Sequence, residues 1–289
     1  MTILVFLATT IICPFSVERL RLANLRLQRT LVRYFRFNRE PCKDTSGMRR
    51  RFFVEKFENQ RALMQDEAAH HLGRVLRAQP GQLYELSDGT SVWLGRIESV
   101  TRDEVEFALL EELFAHKPVL ETTLLLAVIK FDAFEWALEK ATELGVSRIV
   151  PLSASRSEKA LLVAAAKRAV RWKKILLESS QQSRRVQVPT LDPLTKPEAA
   201  FAAHKHELTI LLSESGEAKT LRLILAGRSA GSAALAIGPE GGWTDGEFAA
   251  ARTATFQEAS LGKLILRTET AVVAALASLN FALSSDETE

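Results

Sequence analysis

The fold and a candidate ligand site are both indicated by the stretch IGPEGGWT (residues 237–244), which ends and directly follows the apolar segment 233–237. In a parallel α/β sheet, ligands bind at the carboxyl ends of the strands. Three glycines let the main chain approach a ligand, because no Cβ atom stands in the way. The stretch lacks the Lys-Ser/Thr ending of a phosphate-binding P-loop. Taken alone, these residues fit a ligand-binding turn and an ordinary tight turn equally well.

A second stretch, LGKLILRTETA (residues 261–271), joins a glycine-containing loop to the start of the last predicted helix, Thr268–Leu283. Thr268 suits the N-cap of this helix, and Glu269 falls in its first turn, where a negative charge is favourable. The loop thereby delivers Arg267 to the start of a helix. The alternative interpretation is a capped helix with an ordinary surface arginine.

Around these stretches, apolar strands alternate with amphipathic helices. Gly145 marks the end of one helix, and Thr244 or Asp245 the start of another. The predicted strands are 122–129, 147–152, 208–213, 233–237 and 259–261. The predicted helices are 132–144, a long helix within 159–183, 246–252 and 268–283. This alternation predicts an α/β domain with a largely parallel sheet.

Residues 51–111 instead show short alternating strands, which are typical of a small β-barrel. Asp88-Gly89 is a strong turn signal and predicts a hairpin. The predicted elements are the strands 51–55, 83–87, 91–98 and 104–110 and one helix over 67–77. Residues 116–118 look like a linker to the α/β domain.

The net charge is unevenly distributed along the chain. Residues 1–47 hold eight basic and three acidic side chains of the 38 and 35 in the whole chain, so the remaining 30 basic and 32 acidic ones leave the body at −2. Within that body, 156–185 holds nine Lys/Arg against two Glu. A smaller basic set comprises Arg49–Arg51, Arg74 and Arg77. A nucleic-acid footprint would therefore be a local patch.

Both cysteines, Cys13 and Cys42, lie in the first 47 residues. A disulfide framework, a cysteine metal site and a cysteine nucleophile are thereby excluded from the body. His70 and His71 lie on one predicted helix with few other histidines nearby, so we expect no metal site. A reducing compartment, the cytoplasm, fits this usage.

The N-terminal segment has two interpretations. Its apolar run, 3–13, is too short to span a membrane, and the Arg-rich stretch after it could be an organellar or membrane-surface address. The composition and the cysteine usage both change just before Met48. We favour the interpretation that 1–47 is upstream sequence translated from a wrongly chosen start, and we expect no membrane association of the body.

Together the two stretches resemble the cofactor-binding signature of the SPOUT methyltransferases, and more narrowly the ribosomal RNA small subunit methyltransferase E family. The similarity extends to three supporting segments and covers about 48–283 in order. These segments are 69–77, 140–146 and 171–182. The family begins near the position of Met48, in agreement with the interpretation of the N-terminal segment.

The resemblance implies a PUA-like RNA-binding β-barrel over 48–117 and a SPOUT methyltransferase domain with a trefoil knot over 118–289, after the N-terminal extension 1–47. It implies a homodimer that binds S-adenosylmethionine (SAM) in the knot. The implied reaction is methylation of N3 of a specific uridine in 16S ribosomal RNA of the assembled small subunit.

The implied reaction also suggests roles for individual residues, because the proton on N3 needs a base and the uracil anion needs a positive charge. Arg267 would stabilise the anion, and either Glu240 or Glu269 would be the base, unless Glu269 only orients Arg267 or caps a helix. The implied catalytic residues are Arg267, Glu269 and Glu240. The implied cofactor-binding residues are Ile237, Gly238, Pro239, Glu240, Gly241, Gly242, Leu261, Gly262, Leu266 and Thr268. The expected RNA-binding residues are Arg49, Arg50, Arg51, Arg74, Arg77, Arg156, Arg184 and Arg185.

Three other functions stay open at this stage. A related knotted methyltransferase would act on a ribose 2′-hydroxyl or on transfer RNA. A non-catalytic RNA-binding factor in ribosome assembly would retain the fold and lose the cofactor. A phosphate- or nucleotide-binding enzyme is the weakest alternative, because the Lys-Ser/Thr ending is missing.

Overall fold

A computed structural model describes residues 50–115 and 118–283. The predictions for 1–47 and Arg49, and the linker residues 116–117, lie outside the described residues. The predicted domain boundaries stay predictions.

The first part of the chain forms a six-stranded sheet in the order β1-β4-β5-β6-β3-β2. β1 and β4 are parallel, and the other neighbours are antiparallel. The strands are β1 (Arg51–Phe53), β2 (Phe57–Glu58), β3 (Arg61–Gln65), β4 (Leu83–Ser87), β5 (Val92–Val100) and β6 (Glu104–Leu113). The β4–β5 pair is the predicted hairpin, and Gly89 at its turn has φ 90°.

One face of this sheet encloses an apolar core that includes Phe52, Leu72 and Phe107. The helix predicted over 67–77 is shorter and irregular: α1 (Asp66–His70) runs directly into a π-helical turn, His71–Val75. Buried and exposed residues alternate along β3. The sequence does not predict this strand, because its five residues are too few for the alternation to be recognised.

The second part forms a seven-stranded sheet in the order β11-β13-β10-β12-β7-β8-β9, and every neighbouring pair is parallel. The strands are β7 (Glu121–Ala127), β8 (Arg148–Leu152), β9 (Thr190–Leu191), β10 (Leu208–Leu212), β11 (Lys219–Thr220), β12 (Ser232–Ile237) and β13 (Gln257–Ser260). The parallel α/β fold predicted from the alternation is confirmed.

Helices connect these strands and cover the sheet. They are α2 (Phe131–Glu143), α3 (Lys159–Gln182), α4 (Pro197–Ala203), α5 (Leu221–Leu225), α6 (Asp245–Thr253) and α7 (Thr268–Leu283). α2 packs against α3 and α7, and Trp172 of α3 is buried in the same core. α4 and α6 pack together, with Phe201, Trp243 and Phe256 in a second core. The strands of this sheet lie between the two apolar cores, to which they contribute alternate residues such as Leu124 and Leu125.

The two sheets meet through a polar junction. The guanidinium of Arg51 pairs with the carboxylate of Glu85 at 3.0 Å and also donates to the carbonyl of Arg184. The Ser87 hydroxyl donates to the carbonyl of Val186 at 2.7 Å. The segment that follows α3 is therefore bonded to the first and fourth strands of the first sheet.

The sheet order brings the carboxyl ends of three strands to one edge. β12 lies between β10 and β7, and β10 lies between β12 and β13. The turns that follow β10, β12 and β13 thus start side by side, as the rule for ligand sites in parallel sheets requires.

Candidate active site

These turns enclose a cavity of about 520 Å³. Every residue predicted to bind the cofactor lines it: Ile237, Gly238, Pro239, Glu240, Gly241, Gly242, Leu261, Gly262, Leu266 and Thr268. The volume falls within the range of about 300–1,000 Å³ that is usual for small-molecule sites. The structure therefore brings the two sequence stretches into one site.

The glycine-rich turn after β12 is tightly folded on itself. Gly242 has φ 71°, a left-handed conformation that side chains other than hydrogen disfavour. Its N–H donates to the carbonyl of Pro239 at 2.8 Å. A methyl group at Gly238 would lie 3.0 Å from Cε2 of Trp243. Gly238 has no room for a side chain, and the backbone conformation of Gly242 disfavours one. The main chain of the turn therefore forms the cavity wall at these positions.

Three other segments fix this turn in place. The indole N–H of Trp243 donates to the carbonyl of Leu212, at the end of β10, at 3.0 Å. The Thr268 hydroxyl donates to the carbonyl of Gly238 at 3.1 Å. The Arg156 guanidinium donates to the carbonyl of Gly241 at 2.8 Å.

The N-cap predicted at Thr268 differs in the structure. Thr268 is the first residue of α7, and the carbonyl of Arg267 accepts the helical N–H of Ala271. The Thr268 hydroxyl is aimed at Gly238 instead of serving as the predicted cap. By contrast, Thr244 is the N-cap of α6, as one of the two predicted positions, and its side chain accepts the N–H of Glu247.

Two of the three predicted catalytic residues line the cavity. Arg267 and Glu240 are both exposed there, one on each of the two signature stretches. Glu269 is half-buried in the first turn of α7 and is not among the lining residues. The structure therefore places Arg267 and Glu240 of the predicted catalytic set at the cavity, and it places Glu269 outside the lining.

The sequence interpretation missed one wall of the cavity. This wall is formed by Leu212, the last residue of β10, and by Ser213, Glu214 and Ser215, which follow it. The available signal was the predicted strand 208–213, whose carboxyl end had to lie at the same edge as that of β12. Phe248 of α6 also lines the cavity and was not predicted.

The residues predicted to bind RNA divide into two groups. Arg50, Arg74 and Arg77 are exposed on the first sheet and its helix. Arg51 is buried, and the prediction that it contacts RNA does not fit this position, because its guanidinium is occupied by Glu85 and the carbonyl of Arg184. Arg184 lies 3.7 Å from the other oxygen of the same carboxylate.

Arg185 and Arg156 also differ from the predicted phosphate contacts. The guanidinium of Arg185 donates to the carbonyls of Thr142 at 2.7 Å and Gln187 at 3.1 Å. Burial lowers the pKa of Arg185 to about 10. Arg156 is exposed but reaches the glycine-rich turn and lines the cavity. Both arginines thus bind main-chain carbonyls of their own chain.

No cluster of three or more metal-ligating side chains occurs within 50–115 and 118–283. In the same part of the chain, no helix combines the length and the apolar character that crossing a bilayer would need.

Comparison with known proteins identifies both parts of the fold. Residues 115–280 match the model of a family described as an RNA methyltransferase domain. Residues 65–110 match one described as an RNA methyltransferase PUA domain. The chain thus has the α/β methyltransferase fold and the PUA domain that its sequence predicts.

Among similar proteins, the ribosomal RNA small subunit methyltransferase E of Synechocystis is 34% identical over 75% of this chain and 71% of its own length. The Bacillus subtilis protein of the same name is 29% identical over 74% and 88%. The crystal structure of the Neisseria gonorrhoeae protein bound to S-adenosyl methionine matches with a TM-score of 0.73 and 31% identity, over 81% of this chain and 98% of that one. The chain belongs to the ribosomal RNA small subunit methyltransferase E family.

Proposed function

We propose that this protein transfers a methyl group from SAM to N3 of a uridine in 16S ribosomal RNA, within the assembled small subunit. One observation carries the proposal: both signature stretches line a single cavity at the carboxyl ends of parallel strands. A relative that is 34% identical is named as a ribosomal RNA small subunit methyltransferase, and a solved relative holds SAM.

The cavity fits SAM in size and in chemistry. Its glycine-rich turn offers main-chain groups, and Leu261, Leu266 and Ile237 offer an apolar wall for an adenine ring. The hydroxyls of Ser213 and Ser215 and the carboxylate of Glu214 suit the polar ribose and amino-acid parts. Bound SAM would supply an electrophilic methyl group, whose bond to the sulfonium sulfur breaks to leave a neutral thioether, so the reaction needs alignment more than it needs a metal.

The residues of this chain would then act on the uracil ring. N3 of uracil carries a proton and is a poor nucleophile while neutral. Arg267 would stabilise the negative charge that spreads over the uracil oxygens as this proton leaves. Glu240 lines the cavity with Arg267 and is the better placed base, whereas Glu269 would orient Arg267 or support the start of α7.

The RNA would reach the cavity with its target base turned out of the stack. The exposed Arg50, Arg74 and Arg77 would track its phosphates. The homodimer and the trefoil knot implied by the family, the domain ranges 48–117 and 118–289, and a cytoplasmic site of action belong to this proposal.

The test is nucleoside analysis of the product. The full chain would be incubated with labelled SAM and with small ribosomal subunits from cells that lack the modification, and the digested RNA would be analysed by mass spectrometry. We expect 3-methyluridine. A ribose-methylated nucleoside would overturn the proposed target atom, and a folded chain that binds no SAM would overturn the enzyme.

The role of Arg267 predicts a split between binding and turnover. We expect Arg267→Ala to retain SAM affinity within about twofold and to lose about 100-fold or more in turnover, the usual cost of removing one donor to a developing anion. Isothermal titration gives the affinity and single-turnover kinetics the rate. Arg222→Ala, at an exposed arginine of α5, is the control and should be unchanged. Unchanged turnover in Arg267→Ala would remove this residue from the mechanism.

A further inference from the structure

Glu247 is a buried carboxylate that the proposed mechanism does not use. It lies in the first turn of α6 with a relative exposure of 1% and does not line the cavity. A buried carboxylate is costly unless hydrogen-bond donors surround it. The way in which Glu247 meets this requirement links two segments that both border the cavity.

Its two oxygens serve two different partners. Oε2 accepts from the main-chain N–H of Thr244 at 2.7 Å and from the Thr244 hydroxyl at 2.8 Å. These bonds complete the capping box of α6. Oε1 accepts from the N–H of Ser155 at 2.8 Å, in the loop between β8 and α3. A capping box needs only the first set of bonds, so the bond to Ser155 has a separate effect.

That separate effect falls on the neighbouring residue, Arg156. The loop folds into a turn in which the N–H of Ser157 donates to the carbonyl of Ala154 at 3.0 Å. From this turn, Arg156 donates to the carbonyl of Gly241 at 2.8 Å.

The packing between Arg156 and the glycine-rich turn is equally close. A methyl group at Gly241 would lie 3.1 Å from Cβ of Arg156, which is tighter than an ordinary contact. The contact therefore depends on how accurately the Arg156 loop is held against the turn.

We infer that Glu247 is a positioning residue: through Ser155 it holds Arg156 on the glycine-rich turn, and it thereby sets the affinity of the cavity for SAM. The inference rests on the proposed function, in which SAM binds this cavity. Glu247 is bonded on one side to the main-chain N–H of Thr244, directly after the glycine-rich turn, and on the other side to the main-chain N–H of Ser155, next to Arg156.

The test is a double-mutant cycle read as SAM affinity by isothermal titration on the full chain. Glu247→Gln keeps the shape of the side chain, but its amide nitrogen must face one of the donors that a carboxylate oxygen accepted. We expect Glu247→Gln and Arg156→Ala each to weaken SAM binding about tenfold, the effect of losing one hydrogen bond to a charged group. The double variant should be no weaker than the weaker single variant, because both act on one contact.

Thr244→Ala is the matched control for helix capping. It removes the hydroxyl, which accepts the N–H of Glu247 in the capping box and donates to Oε2, and it leaves in place both main-chain N–H bonds to Glu247, from Thr244 and from Ser155. We expect it to lower the melting temperature and to change SAM affinity by less than about twofold, since an N-cap contributes chiefly to helix stability. Thermal melting of every variant separates stability from affinity.

The outcomes separate the inference from the proposed function. A wild-type chain that binds no SAM overturns both. Two results would overturn the inference alone while the wild type binds SAM. One is an unchanged SAM affinity in Glu247→Gln, and the other is a double variant in which the two losses of affinity add. If Glu247→Gln does not fold, Arg156→Ala tests the inference by itself. An unchanged SAM affinity in this variant would overturn the inference, because Glu247 is inferred to act through Arg156.

Discussion

Gly238 shows how little freedom a single residue of the glycine-rich turn has. Its carbonyl accepts the Thr268 hydroxyl, and its Cα faces the ring of Trp243. Trp243 is 4% exposed and its indole N–H is bonded to Leu212, so the ring has nowhere to move. Any group added at Gly238 must therefore displace the main chain of the turn.

We predict that Gly238→Ala lowers the free energy of unfolding by about 1–3 kcal/mol, the usual effect of overpacking, because the methyl would lie 3.0 Å from the Trp243 ring. SAM affinity should fall as well, since the displaced main chain forms the cavity wall. Urea denaturation and isothermal titration measure the two effects.

Gly246→Ala, inside α6, is the control. No atom lies within 4 Å of an added Cβ there, and alanine favours a helix over glycine by about 1 kcal/mol. This variant should be as stable as the wild type or more so. Equal behaviour of the two variants would contradict the account of Gly238.

At this scale the resemblance to the SPOUT signature predicted the residues of two stretches that line the cavity, whereas the glycines after an apolar strand fitted a ligand-binding turn and an ordinary turn equally well. It did not predict the partners of the arginines. Arg51, Arg156 and Arg185 all counted as surface cations, yet each binds a group that only the fold brings near. A linear charge count cannot distinguish a solvated guanidinium from one that is bonded within the protein.

Among the elements, the β4–β5 hairpin depends on one turn residue. Oδ1 of Asp88 accepts from the N–H of Thr90 at 2.8 Å, from the Thr90 hydroxyl at 2.8 Å and from the N–H of Ser91 at 2.9 Å. Burial tends to raise the pKa of Asp88, but the N–H groups of Ser91 and Thr90 outweigh it and lower the pKa below its usual range. The ionised form therefore stabilises the folded hairpin.

A carboxyl whose pKa is lower in the folded state contributes stability above its unfolded pKa and loses it as the pH falls through the folded value. We expect Asp88→Ala to lower the free energy of unfolding by about 1 kcal/mol at pH 7. At a pH below the folded pKa, the variant and the wild type should differ less. Urea denaturation at both pH values measures the difference.

Asp103→Ala provides the comparison, since this carboxylate is exposed and its ion pair with Arg102 is long, at 3.9 Å. It should have little effect at either pH. A loss in Asp88→Ala that does not depend on pH would show that the side chain acts by shape and not by charge.

Elements were predictable where they are long and buried. The predicted strands 122–129 and 233–237 differ from β7 and β12 by one or two residues at their ends, and α7 has the predicted bounds. The two-residue strands β9 and β11 were missed because so short a segment shows no periodicity. The π-helical turn after α1 was missed because it has the same apolar pattern as a helix.

For the whole molecule, the Arg51–Glu85 pair is the contact to test, because it stands where the first sheet meets the segment after α3. Both side chains are 9% exposed. Glu85→Gln would leave the Arg51 guanidinium buried without a countercharge. We predict a loss of about 3–5 kcal/mol in the free energy of unfolding, as for other broken buried pairs.

Chemical denaturation followed by fluorescence and by circular dichroism measures this loss. The control is Glu106→Gln, which removes the partner of Arg61 in a cross-strand pair whose arginine is 70% exposed. Exposed pairs contribute about 0–1 kcal/mol, so this variant should remain close to the wild type. Equal stability of the two variants would show that the junction does not depend on its charge pair.

The order of the two domains and the structural class of each were predictable from the sequence. Short alternating strands before residue 118 give way to alternating strands and helices after it. The junction between the two domains was not predictable, because its bonds join Arg51 and Ser87 to residues 133 and 99 positions away.

The all-parallel sheet also has a consequence for the time course of folding. β7 is apolar and buried, and it must wait for β12 before its ladder with Leu235 and Ala236 can form. The Thr268 contact that closes the cavity belongs to a still later segment. Contacts between such distant segments form slowly, and unpaired apolar strands aggregate while they wait. During synthesis, one edge of β7 pairs with the nearby β8, but the other edge emerges from the ribosome well before β12, and the binding cavity is among the last parts of the chain to be completed.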